Sequence, residues 1–201
     1  MRMTQNKSNP PTGLQRGAPV RARILDAAEH LMRQGKADFS MRDLASEAGV
    51  SFATPFNHFG SKAGIMQALS GRRIDAMEAR YRAASPPGDA AARVGAAVDI
   101  AAAVMLEEPL VSRGVMGWLG TPAPDPGLVA ARSAALWALA LDDGDGLNAA
   151  RRSEALTELP QQLAFAFRGV LSFWTAGELA DAALAPQARA LATTLLCSYG
   201  G

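Results

Sequence analysis

From Val20 onward, apolar positions recur with helical spacing. Ile24, Ala27, Ala28, Leu31 and Met32 fall at i, i+3, i+4, i+7 and i+8, which predicts a helix with one apolar face, ended by Gly35. A second, short helix is predicted to open at Ser40. Asp43 stands at the acid position of a capping-box variant, and Met41, Leu44, Ala45 and Ala48 face inward. Gly49 breaks this helix. Ser51 is predicted to cap a third short helix running through His58, and Gly60-Ser61 to close it and cap a fourth. The fourth carries Ile65, Met66, Leu69, Met77 and Tyr81 on one broad face and stops at Ser85-Pro86-Pro87-Gly88.

Five further helices are predicted. They run from Asp89 to Glu108, from Leu110 to Leu119, from Asp125-Pro126 to Leu141, through a long helix or broken pair to Ala176, and from Glu178 to Ser198. Pro160 is expected to start or kink the fourth of these, and Pro186 to bend or interrupt the last. No stretch alternates with strand periodicity, alanine dominates the apolar set, and no internal repeat is visible. The fold class expected is therefore all-α.

Charge divides the chain. Residues 1–82 hold 13 Lys/Arg and 7 Asp/Glu, whereas residues 83–201 hold 7 and 12, so a net +6 faces a net −5. A basic N-terminal part suits a polyanion there, and the acidic remainder argues against a nucleic acid wrapping the whole molecule. Residues 1–18 are polar and Pro/Gly-rich, with Arg2, Lys7 and Arg16, and read as a mobile arm. Cys197 is the only cysteine, which excludes an internal disulfide or a cysteine-built metal site and fits a reducing cytoplasm. No apolar signal segment opens the chain, and the longest nearly apolar run, Gly95 to Leu106, contains Asp99 and is too short to span a bilayer.

The decisive segment is Ser40 to Lys62. Two short helices around a glycine-containing turn form a helix-turn-helix layout, with Ala45 small enough to let the helices approach and Gly49 free to turn the backbone. This geometry offers the N-terminal residues of the third helix to a major groove. Phe52 and Ala53 lie on its first turn and have no side-chain donor, so apolar contact with thymine methyls is expected. Ser51, Thr54, Phe56, Asn57 and His58 complete the candidate DNA face. Thr54, Asn57 and His58 are placed for phosphate or base-edge contact. Lys62, just inside the fourth helix, and Arg42, at the start of the second, are candidate phosphate clamps.

Several of these stretches resemble TetR-family regulators. Arg23-Ile24-Leu25-Asp26-Ala27-Ala28-Glu29-His30-Leu31 resembles their opening helix, and Leu44 to Ser51 their second helix and turn. Thr54-Pro55-Phe56-Asn57-His58-Phe59-Gly60-Ser61-Lys62 resembles their recognition helix and the start of the next. The resemblance covers about residues 20–70. It implies a homodimeric regulator in the cytoplasm that binds a palindromic duplex DNA operator, most commonly a repressor, with a small-molecule effector sensed by the larger domain. The organisation expected is an arm over 1–18, a DNA-binding domain over 19–66 and a ligand-binding and dimerisation domain over 67–201. Phe56 replaces the family's usual tyrosine and Pro55 its usual leucine, which removes one phenol-to-phosphate bond and shifts or tightens the helix start.

In the second domain Met105, Met116, Trp118, Trp137, Phe165 and Phe167 are candidates to line an apolar cavity. Leu163, Val170, Leu171, Trp174, Leu184, Leu191 and Leu195 are candidates for a four-helix dimer interface. No catalytic or metal-ligating residue and no cofactor is assigned. His30 and His58 are the only histidines and both fall in the helix-turn-helix region. No nucleophile motif is present, and Asp143 and Asp145 begin a calcium-like loop that Leu147 and Asn148 then break. The alternative reading is a helical interaction or small-molecule-binding protein whose helix-turn-helix is degenerate.

Overall fold

The computed structural model describes residues 20–122 and 124–200; the arm expected over residues 1–18 lies outside them. Nine helices are found among the described residues: α1 (Val20–Arg33), α2 (Met41–Glu47), α3 (Ala53–Phe59), α4 (Lys62–Ala84), α5 (Ala90–Glu107), α6 (Pro109–Trp118), α7 (Leu128–Leu141), α8 (Arg152–Thr175) and α9 (Asp181–Cys197). The described residues form no strand, only an isolated bridge between Leu147 and Gly200. None of these helices is long and apolar enough to cross a membrane.

The helix ends follow local chemistry. After α1, Gly35 takes φ 77°, and the Lys36 amide donates back to the Leu31 carbonyl at 3.0 Å, which closes the last turn. Ser40 and Asp43 form the full capping box. The Asp43 amide donates to Ser40 Oγ at 3.1 Å, and the Ser40 amide to the Asp43 carboxylate at 2.9 Å. Asp89 caps α5, and Pro109 occupies the first turn of α6, where a missing N–H costs nothing.

Two expected features differ. Asp125-Pro126 does not open α7, because Gly127 adopts φ 83° and the helix begins at Leu128. The Asp125 carbonyl instead accepts the Gln67 amide at 2.7 Å, which ties this turn to α4. Neither proline breaks its helix: α8 runs through Pro160 and α9 through Pro186. The α8 helix packs against both α7 and α9, and Leu159, Leu163, Leu184 and Ala188 beside the prolines are buried. Burial of such side chains, at ~1.5–3 kcal/mol each, outweighs the ~3 kcal/mol cost of an interior proline.

Two apolar clusters form. The first joins α1, α2, the end of α3, the first half of α4 and two residues of α6, Val111 and Val115. The second joins the rest of α4 with α5, Met116 of α6 and α7 to α9. The α4 helix serves both, so the division expected at residues 66 and 67 falls inside an unbroken helix. Charge holds the junction. Glu29 of α1 is buried and faces Arg73 at 3.2 Å and Arg72 at 3.5 Å, both from α4. Arg33 of α1 grips the Glu108 carboxylate with two guanidinium nitrogens, and Arg73 reaches Glu108 at 3.5 Å.

The hydrogen bond from Arg33 holds the Glu108 carboxyl below the usual carboxylate range, with the charges of Arg33 and Arg73 adding to the effect. A carboxyl whose folded pKa is depressed contributes stability above its unfolded pKa of ~4.3 and loses it as pH falls. Glu108→Gln is therefore expected to lower Tm at pH 7 by a few degrees, about 1 kcal/mol for a partly exposed pair. The gap to the wild type should close as thermal unfolding is followed from pH 6 down to pH 3. A gap independent of pH would rule out this pairing.

Candidate nucleic-acid interface and effector cavity

The turn between α2 and α3 is fixed by backbone geometry. Ala45 is buried where the helices meet, Gly49 takes φ 63° and the Val50 amide donates to the Ala45 carbonyl at 3.0 Å. The other end of α3 is equally constrained. Gly60 is at φ 71°, Ser61 caps α4 through the Gly64 amide, and a Cβ on Gly64 would overlap the Phe59 carbonyl oxygen. These constraints hold α3 as a short rod with one side on the core through Pro55 and Phe59 and the other in solvent.

The start of α3 departs from the expectation. Ser51 does not cap a backbone amide through its side chain; its hydroxyl pairs with the Thr54 hydroxyl at 2.7 Å. Phe52 is already in the helical region of backbone space and the helix begins at Ala53. Pro55 thus becomes the third helical residue, where the absent N–H has no helical partner to lose. The proline and the one-residue shift are one adjustment.

The exposed side of α3 carries Phe52, Ala53, Phe56, Asn57 and His58, with Thr54 half-buried and Ser51 exposed beside them. Phe52 and Phe56, one turn apart, are 53% and 39% exposed although apolar. Their rings meet edge to face with centroids 5.3 Å apart. The Arg42 guanidinium stands 5.7 Å from the Phe52 ring.

Lys62 does not face outward as a phosphate clamp. Its ammonium donates to the carbonyls of Ala37 at 3.0 Å and Phe39 at 2.7 Å. It also lies over the rings of Phe39 at 4.3 Å and Trp118 at 4.8 Å. Burial pushes its pKa below the ordinary lysine value. The residue pins the α1–α2 loop to α4 and α6. Helix N-terminal position alone favours an anion contact, but two orphan carbonyls and two aromatic faces capture the cation first, the carbonyls being 23 and 25 residues away in sequence.

Arg21 carries no signal in the sequence pattern. It donates to the His58 carbonyl at 2.9 Å, 37 residues away, and stacks on Phe59 at 4.2 Å. This places a guanidinium at the C-terminal end of α3. No local pattern announces such a contact.

Residues of α4 to α8 line a partly open cavity of about 280 Å³. Met105, Met116, Trp137, Phe165 and Phe167 are on its wall, but Trp118 is not, because it packs on the first cluster and over Lys62. The wall also contains polar groups that apolar periodicity could not reveal: Gln67, Ser70, Arg73, Ser112 and Arg168.

Residues 24–69 match the profile of bacterial regulatory proteins of the tetR family. Over residues 24–69 the chain is of the TetR type. The whole described chain has the fold of solved TetR-type structures. It is similar to a TetR transcriptional regulator from Rhodococcus sp. RHA1, at 23% identity and a TM-score of 0.71, covering 88% of this chain and 96% of that one. It is also similar to a putative transcriptional regulator from Streptomyces coelicolor A3(2), at 24% identity and a TM-score of 0.52, covering 89% and 98%. A third likeness is to the TetR-family regulator PfmR from Thermus thermophilus, at 19% identity and a TM-score of 0.53, covering 88% and 95%. None of the curated proteins matches the sequence.

Within this TetR-type fold the expected dimer residues divide. Leu163, Val170, Leu171, Trp174 and Leu184 are buried in the protomer's own second cluster, Leu195 is partly buried against it, and only Leu191 is exposed. The outer surface of α8 instead presents Phe165 and Phe173, 58% and 60% exposed. Heptad-like spacing finds the face of α8 and α9 that points inward, and in a helix packed between neighbours that face belongs to the protomer.

Lys62→Ala removes two charge-assisted bonds and two aromatic contacts. It is expected to destabilise the protein by about 2 kcal/mol, measured by urea unfolding. The salt slope of DNA binding should stay unchanged, whereas loss of a phosphate contact would lower it by about one unit.

Proposed function

We propose that this chain is a homodimeric, sequence-specific repressor that acts on duplex DNA in the cytoplasm and whose operator binding is modulated by a small, largely apolar effector. The observation that carries the reading is the outward face of α3. Phe52, Ala53, Phe56, Asn57 and His58 project from a helix locked on a helix-turn-helix frame, and two phenylalanines stand in solvent without a partner among the described residues beyond each other and Arg42. Leaving such apolar area exposed has no structural benefit. Against a major groove it meets thymine methyls, while Arg42, Thr54, Asn57 and His58 supply polar contacts around it.

Dimerisation fits Phe165 and Phe173 of α8 with Leu191 of α9, the exposed large apolar residues of these two helices. A symmetric pairing through them would set two α3 helices about one DNA turn apart, ~34–36 Å. Effector modulation fits the cavity, because α4 and α6 belong both to its wall and to the packing of α1. Arg73 lines the cavity and also faces Glu29 of α1 and Glu108 at the start of α6. A ligand that favours one arrangement of α4 and α6 thereby favours one spacing of the heads, through its differential affinity alone.

Selection from random duplex DNA at physiological salt is expected to enrich a palindrome with half-sites ~10 base pairs apart. A folded protein that enriches no sequence would favour the degenerate, interaction-protein reading instead. Phe52→Ala is expected to relax preference at one or two base pairs by about 1 kcal/mol without altering preference elsewhere, read by repeating the selection. Phe173→Asp is expected to leave the helix content intact and shift sedimentation from dimer to monomer at micromolar concentration. Operator affinity should fall with it.

A further inference from the structure

Resting on the reading of the cavity as an effector site, we propose that the effector is an organic anion: a small carboxylate with an apolar body, its head group held by Arg168. The walls contributed by Met77, Met105, Leu136, Trp137 and Phe167 are apolar, and they would take an aryl or medium alkyl body. Arg168 is the anomaly among them. It sits half-buried on α8 at the cavity wall and has no ion-pair partner among the described residues, where Arg33, Arg72, Arg73, Arg80, Arg93, Arg113, Arg132, Arg151 and Arg189 all pair with carboxylates. Its hydrogen bond is to the Met116 sulfur at 3.3 Å, a weak acceptor for a group with five donors. Burial alone pushes its pKa down, with no neighbouring acid to restore it.

A guanidinium left in a mostly apolar cavity carries a desolvation cost that an incoming carboxylate would cancel by a two-pronged bond. Two further groups point the same way. Ser112 and Trp137 are lining residues of the cavity, and Ser112 Oγ and Trp137 Nε1 are buried without a hydrogen-bond partner among the described residues. Both can donate to an oxygen. The second cation, Arg73, has its charge answered by Glu29 at 3.2 Å and Glu108 at 3.5 Å, although its Nε and Nη2 make no hydrogen bond, and the wall's acid, Asp125, is on an exposed loop with its carbonyl taken by Gln67. Among the described residues, the cation of the cavity wall without an acid partner is therefore Arg168. The volume, about 280 Å³, is near the lower end of the range for ligand sites, ~300–1,000 Å³, and suits a small ligand body.

The test is calorimetric titration of the full-length protein at pH 7.5 with 4-phenylbutyrate and octanoate and with their neutral amides. At least one acid is expected to bind roughly ten- to hundredfold more tightly than its amide. Arg168→Met should reduce that acid to the affinity of the amide while leaving amide binding unchanged, and Arg168→Lys should keep part of the preference. Equal binding of acid and amide, or a preference that survives Arg168→Met, overturns the anion site but leaves the effector cavity standing. Binding of neither form overturns both. Circular dichroism of the variants separates loss of the cation from loss of the fold.

Discussion

A carboxylate buried inside a protein must be answered by positive charge, and Glu29 imposes that demand on the junction of this molecule. Arg72 and Arg73 come to it from α4 and Arg33 from its own helix. Arg33 and Arg73 then share Glu108, at the start of α6. Three helices that belong to different parts of the chain are thus held at one point. The same geometry brings Val111 and Val115 of α6 into the core of the helix-turn-helix region, and it leaves a residue of that network, Arg73, on the wall of the cavity behind it.

This arrangement gives the molecule a short route between its two halves. A DNA-reading head on a flexible tether could not feel what happens in a cavity elsewhere. Here α4 runs unbroken from the capping serine beside α3 to the far side of the second core, and α6 is packed on both. Lys62 adds a second tie. By joining the Ala37 and Phe39 carbonyls to the Trp118 ring, it couples the loop before α2 to the end of α6. Movement of α4 or α6 would carry the helix-turn-helix region with it, which is the mechanical condition that the proposed effector response requires.

The two departures from the usual TetR-type recognition helix also acquire a physical account. Pro55 is accommodated because α3 begins one residue later than Ser51 would set it, which places the proline where no helical N–H is needed. Phe56 lacks a phenolic oxygen, but its ring pairs with Phe52 to make a continuous apolar face. Under the proposed function, this face would meet thymine methyl groups more than hydrogen-bonding base edges.

The sequence by itself determined what is local. Periodicity, the Ser40–Asp43 capping box, the glycines at the turns and the order of motifs over residues 20–70 were enough for the nine helices of the described residues, the helix-turn-helix and the resemblance to TetR-type regulators, because caps, turns and amphipathic faces depend on residues a few positions apart. Met105, Met116, Trp137, Phe165 and Phe167, which are on the cavity wall, were legible only as large apolar side chains at helical spacing. Tertiary structure decided whatever depended on distant partners. It turned Lys62 and Trp118 into a structural pair, brought Arg21 onto α3, placed the inward leucines of α8 and α9 in the protomer core, and carried both helices through their prolines. It also left Arg168 alone while most of the other arginines found an acid. A charged side chain carries no local pattern that says whether it will be paired. That depends on which helices pack beside it, and packing is set by the summed burial of residues far apart in the chain.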